Sequence, residues 1–244
     1  MDKAVWKDYA EQFKQAFNLD NSPVAVNCVK SGKFPAGEKK LRICRSILDT
    51  AAGSTSVICK ENNLCFGAAW HLGFHQIKDP KVIGMIKKFV VEGEKLFSSY
   101  EALDNLMKQT DGVPDNSDSC FLLQPLEKSD IEPQLVIFVC NPDQACRILT
   151  LVTFIDGNMP RIKIGGPTCR MAIMYPLTND EVNISFYDYT ARKICNMEKD
   201  KLLVTIPYKH IGAIVDSIDK CTAGTAPIEY PPEFRQFLQK RLSK

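Results

Sequence analysis

The stretch QLVIFVCNPDQACRILTLV, residues 134–152, places a strand and a helix back to back. LVIFVC is an apolar run of strand length, and from about residue 142 Ala145, Ile148, Leu149 and Val152 recur on one helical face. The alternation extends in both directions. CFLLQPL at 120–126 and LLVTIP at 202–207 have strand composition, VNISFYDY at 182–189 alternates as a strand, and HIGAIVDSI at 210–218 follows as a helix. Upstream, Trp6, Tyr9, Ala10, Phe13, Ala16 and Phe17 share one face of a helix over 2–17, and PVAVNCV at 23–29 is a strand. Leu41, Cys44, Leu48 and Ala51 line one face of a second helix over 39–52, which Gly53 stops. STSVIC at 54–59 is a strand, Cys65 opens a short helix or ordered turn, and Asp79 with Pro80 starts a long helical region running to about 109. The tail PPEFRQFLQKRLSK carries Phe234, Phe237, Leu238 and Leu242 on one stripe, which is expected to dock on the domain.

This order predicts an α+β or α/β domain with a mixed central sheet flanked by helices. Two similar-sized halves are expected to pack as one compact unit over residues 1–244, with a hinge near 110–118 where DGVPDNSDS forms a loop. A chain of 244 residues can bury most of its apolar surface without staples.

Composition narrows the function. At 45% hydrophobic and 25% charged residues the chain matches an ordinary globular protein, and a formal net charge of +2 is too small to imply nucleic acid as partner. No apolar run reaches the roughly 18 to 20 residues of a membrane helix. The N-terminal MDKAVWKDYAEQFKQAF interleaves charged and apolar residues, unlike a secretory signal, so a cytoplasmic location is expected. In that reducing setting a disulfide framework is not expected among the ten cysteines, most of which should be small core hydrophobes.

The chain lacks GxxxxGK[ST], a strand-borne GxGxxG, GxSxG, HExxH and CxxC, which removes the common nucleotide, hydrolase, zinc and thioredoxin-like signals. Attention falls on residues 42–74, RICRSILDTAAGSTSVICKENNLCFGAAWHLGF. Cys59-x5-Cys65-x5-His71-x3-His75 has the ligand types of tetrahedral zinc, but its middle spacer is much shorter than a finger helix needs, so a partly buried histidine pair is the better reading. An iron–sulfur cluster asks instead for three or four converging thiolates. Cys44 and Cys59 flank a helix-to-strand reversal, Cys65 sits beside Gly67, and Cys169 follows Gly165-Gly166-Pro167. Glycine beside cysteine lets main chain approach sulfur closely.

These residues resemble a family. PVAV after an N-terminal helix, Arg42-x-Cys44 leading into a small-residue helix, then Cys65-x-Gly67 followed by Leu72-Gly73, is similar to the archaeal and bacterial cysteine-rich family called domain of unknown function 169. The likeness continues through GGPTC at 165–169, the segment around Arg192, and LLVTIP with its following helix. It implies that Cys44, Cys65 and Cys169 are the family-type positions, with Cys59 a local addition. The chain departs from the family pattern at YDYTARKIC, where Cys195 falls on the far side of Arg192, which leaves Cys195 outside the expected ligand set.

The expected function is therefore an oxygen-sensitive, cytoplasmic metal-binding protein of anaerobic metabolism. Its iron–sulfur cluster is held by Cys44, Cys65 and Cys169, with Cys59 as fourth ligand, and Gly67 and Arg192 serve as ligand-binding residues. A redox partner or a small-molecule ligand follows from that reading, without nucleic acid or membrane, and a homo-oligomer is compatible with it. Two alternatives stay open. One is a non-enzymatic small-molecule-binding or accessory protein whose cysteines are mostly core. The other is a thiol enzyme with Cys65 as nucleophile and His71 or His75 as base. Residue types and spacing do not decide whether the protein is an enzyme.

Overall fold

A computed structural model describes residues 3–75, 79–109 and 112–242. The chain opens with α1 (Lys3–Phe17), β1 (Val24–Lys30), α2 (Ile43–Ala51), β2 (Ser56–Cys59) and α3 (Phe66–His71). An arm of two helices follows, α4 (Pro80–Lys88) and α5 (Tyr100–Gln109), and then β3 (Ser119–Pro125), β4 (Leu135–Cys140) and α6 (Pro142–Asp156). The last third holds α7 (Tyr175–Asn179), β5 (Asn183–Ser185), α8 (Tyr189–Cys195), β6 (Leu202–Pro207), α9 (Ile211–Val215) and α10 (Pro232–Leu242).

The six strands form one sheet in the order β2-β3-β1-β4-β6-β5. The fold is the expected α+β class. Every strand pairing is antiparallel, and the parallel contact is confined to an isolated bridge between Leu41 and Asn63. β4 is buried at all six positions because helices cover both faces of the sheet. On one face Val24, Val26, Phe121, Leu123, Ile137 and Leu203 pack with Ile43, Ile47, Ala68 and Ala191 of α2, α3 and α8. On the other, Ala25, Val136, Phe138, Val204 and Ile206 pack with α1, α6 and α9. The Phe138 ring meets Phe13 and Phe17 edge-on at 5.2 and 5.8 Å. Each such side chain adds about 1.5–3 kcal/mol through burial.

Local rules hold at several element boundaries. Asn141 and Gln144 close a reciprocal capping box with Pro142 in the first turn, and α6 ends on Gly157 in the left-handed conformation. Asp79 caps α4 with Pro80 behind it. Three expectations change. The helical region to 109 is broken, since the chain forms a π-helical turn at Phe89–Gly93, takes a left-handed φ of 56° at Lys95 and restarts at Tyr100. The strand over 182–189 stops at Ser185, because Tyr187 is left-handed at φ 62° and Asp188 begins α8. The tail does form a helix, α10, but it has no buried residue, with Phe234 46% and Phe237 51% exposed, so it is not docked on the domain. Residues 110 and 111, at the start of the expected hinge, lie outside the described residues. No helix among the described residues is long and apolar enough to cross a membrane.

Candidate functional site

A cavity of about 820 Å³ opens beside the sheet face that carries α2, α3 and α8. Four thiols line it, Cys44, Cys65, Cys169 and Cys195, each from a different segment of the chain. The arm formed by α4 and α5 supplies Met85, Phe89, Phe97, Leu103 and Met107. Two π-helical turns flank the site, Phe89–Gly93 in the arm and Arg170–Met174 directly after Cys169. Such turns recur at functional sites because they displace side chains from the α-helical register.

Each thiol is positioned by hydrogen bonds that join distant parts of the chain. Cys44 lies in the first turn of α2, and its carbonyl accepts the Tyr187 hydroxyl at 2.9 Å. Arg45, one residue on, donates to the Cys195 carbonyl at 3.1 Å and fastens α2 to the end of α8. Cys65 precedes α3, in a turn where its N–H donates to Asn63 Oδ1 and its carbonyl accepts from Asn63 Nδ2. That turn is tied to the approach to α2 by Leu64 N–H donating to the Leu41 carbonyl. Cys169 is brought to α8 by Asp188, which accepts from the Thr168 hydroxyl at 2.9 Å while Asp188 N–H donates back to it at 3.0 Å. The same carboxylate caps α8 through Ala191 N–H.

The thiols are electrostatically unequal. Interaction with the Cys195 thiol, then burial and nearby Cys169, pushes the Cys44 pKa well above the usual thiol value. The same interaction with Cys44, together with the nearby Arg45 and Arg42 guanidiniums, lowers Cys195 despite its burial. Burial first, then Cys65 and Asp188, raises Cys169. Among the described residues, no three histidine, cysteine, aspartate or glutamate side chains are gathered so as to hold a metal ion.

The expected site residues separate. Cys44, Cys65, Cys169 and Gly67 share the cavity. Cys59 does not join them: on β2 it is disulfide-bonded to Cys120 of β3, in a small apolar cluster with Val29 and Leu122. That bond corrects the expectation that the cysteines stay unpaired, and it arises because the strand register sets Cys59 directly opposite Cys120. Arg192 is not among the residues that line the cavity and is committed to main chain, donating to the carbonyls of Phe186, Glu198, Lys199 and Lys201. It organises the loop between α8 and β6, and the guanidiniums that face the thiols are Arg42 and Arg45. At Gly67 an added Cβ would meet only Cys65 Sγ, at 3.9 Å, so no close main-chain approach requires glycine there. Gly73 is different: at φ +79° its Cβ would fall 2.1 Å from the Pro114 carbonyl oxygen, in the loop that Asn116 binds to Leu72 and Gly73.

Sequence reading missed Cys195, Tyr187 and Asp188. The available signal was Asp188 as an N-cap, which starts a helix whose Ala191 and Cys195 fall on one inward face.

His71 lines the cavity and stacks on Trp70. Burial and the nearby Arg170 charge lower its pKa from 6.5 to about 4, against a smaller opposing effect of Asp188. Because the folded value is depressed, the unfolded chain takes up the proton first as pH falls. Stability is then lost between pH 6.5 and about 4, on the order of 3 kcal/mol for the full shift. Urea unfolding at pH 7 and pH 4.5 should show a larger acid loss for the natural chain than for His71→Gln; equal losses would remove His71 as the source.

Residues 12–217 match the family model of DUF169, described as uncharacterised ArCR. The chain is also 24% identical over 230 residues to the uncharacterised protein MJ0308 of Methanocaldococcus jannaschii, a match covering 90% of this chain and 96% of that protein. No solved structure matches.

Proposed function

The chain belongs to the DUF169 family, and we propose that it binds an iron–sulfur cluster in its cavity through Cys44, Cys65, Cys169 and Cys195. The observation that carries this reading is the convergence of four thiols from four chain segments on one cavity. Core cysteines are usually scattered among apolar neighbours. Here one of them, Cys195, faces two guanidiniums that favour its thiolate. The four thiols line one cavity without gathering at a single point, and a polynuclear group would space its thiolates across several iron and sulfide atoms. Arg42 and Arg45 would offset the negative charge, and the apolar arm would limit water, two of the influences that set a cluster's potential.

The cluster supplies electron transfer when bound, so a redox partner belongs to this reading, as do a reducing cytoplasmic location and anaerobic metabolism. The Cys59–Cys120 bond is compatible with that setting because both residues are buried, 2% and 0% exposed, and shielded from reductants. A second reading, a small-molecule-binding accessory protein, is favoured by the cavity's size. About 820 Å³ lies within the roughly 300–1,000 Å³ range of small-molecule sites and exceeds what a cluster alone would fill.

Protein purified and reconstituted with iron and sulfide without oxygen tests the leading reading. It should gain a broad visible absorption that dithionite bleaches, together with bound iron and acid-labile sulfide. A colourless product containing neither would return the thiols to the cavity wall and leave the small-molecule reading.

A further inference from the structure

Most charged side chains on the cavity wall are already satisfied. Glu94 accepts from the Thr190 hydroxyl at 3.0 Å, Asp188 accepts from Thr168 and Ala191, and Lys87 is ion-paired with Asp104. Arg42 alone among the charged side chains that line the cavity makes no hydrogen bond or ion pair with any described residue. It stands in the N-cap position of α2, half-buried, with five N–H donors to place. The rest of the wall is dominated by apolar groups from the arm. Met85 and Phe89 are 67% and 61% exposed, and α4 has no fully buried residue, so these two side chains are left largely uncovered by the described chain.

We infer that the cavity binds a small monocarboxylate with an apolar body, its carboxylate paired with the Arg42 guanidinium and its body against the arm. The sign of the charge follows from the wall. Glu94 already accepts from Thr190 and Asp188 from Thr168 and Ala191, so neither carboxylate stands without a partner, whereas an anion meets an uncommitted fork whose geometry matches a carboxylate. A second charge on the ligand would be stranded against apolar groups at the cost of its desolvation. Methionine at positions 85 and 107 lets the wall adapt to acyl or aryl bodies. This inference goes beyond the cluster reading: it shares Arg42 and the arm with that reading but uses none of the thiols, and it is tested on metal-free protein.

Calorimetric titration of the full-length, metal-free protein with decanoate, 2-naphthoate, decanol and decylamine tests it. At least one carboxylate should bind, about ten- to a hundredfold more tightly than decanol or decylamine. Which carboxylate binds better identifies an acyl or an aryl body. Arg42→Met should bring the preferred carboxylate down to the affinity of decanol while leaving decanol itself unchanged, and Arg42→Lys should fall between. Equal binding of decanoate and decanol by the natural protein, binding of neither carboxylate, or full carboxylate affinity in Arg42→Met would each overturn the inference. The first two are read on the natural chain, independent of how any variant folds. Loss of cluster reconstitution alone would leave the inference standing.

Discussion

Cys195→Ser should remove iron and sulfide loading as completely as Cys44→Ser, and Cys59→Ser should leave it intact. This contrast separates the spatial ligand set from the set that sequence proximity suggests. Cys44 and Cys195 lie on α2 and α8 and line the same cavity, with the Arg45 side chain bridging the two helices at the Cys195 carbonyl. Removing either sulfur leaves three thiols in the cavity and takes away one of the two adjacent to Arg42 and Arg45. Cys59, by contrast, sits with Cys120 in the small cluster at the β2 edge of the sheet, and its sulfur is consumed by the disulfide. The turn leading from it to Cys65 is held independently: Asn62 accepts from Cys59 N–H and donates to the Val57 carbonyl, and Asn63 clasps Cys65. The measurement is bound iron and acid-labile sulfide per chain after anaerobic reconstitution, with circular dichroism to establish folding. Full loading in Cys195→Ser would return Cys195 to the core. Loss of loading in a folded Cys59→Ser would show that the cluster draws on a thiol that the native fold places elsewhere.

The elements legible in the sequence were those whose side chains answer to a nearby sheet face. LVIFVC and LLVTIP are buried on both sides, so their composition alone marked them, and the α6 capping box is a local signal that needs no tertiary partner. The misread elements depend on distant groups. Phe186-Tyr187-Asp188 alternates like a strand, yet the Phe186 carbonyl is taken by Arg192, Tyr187 reaches the Cys44 carbonyl, and Asp188 is held by Thr168. The α10 stripe shows amphipathicity, but a stripe does not say whether its own domain will cover it. At the site, Cys44, Cys65 and Cys169 were legible through the family resemblance. Cys195 was not, because its place depends on a helix that the strand-like alternation before it concealed. Arg192 looked like a ligand-binding cation because sequence shows a charge without showing the carbonyls that occupy it.

Reducing the Cys59–Cys120 bond should lower global stability by about 4 kcal/mol while leaving the cavity able to load iron and sulfide. The bond spans a sequence separation of 61 residues, and closing a loop of that length in the unfolded chain removes conformational entropy equivalent to about 4 kcal/mol. The closed loop contains α3 and the whole arm, so the unfolded chain regains most freedom in the segment that forms much of the cavity wall. In the folded state the loss is local. β2 has only four residues and pairs with β3 alone, so its hold on the sheet edge weakens first. Two measurements check this. Denatured but unreduced protein should present eight titratable thiols, Cys28, Cys44, Cys65, Cys140, Cys146, Cys169, Cys195 and Cys221, and ten after reduction. Urea unfolding with and without reductant should then separate the midpoints by the predicted free energy. Ten thiols before reduction would show that the two cysteines merely face each other across the strands. Eight thiols with unchanged midpoints would place the ordering of the arm in the unfolded chain, and the stabilising contribution of the bond would be lost.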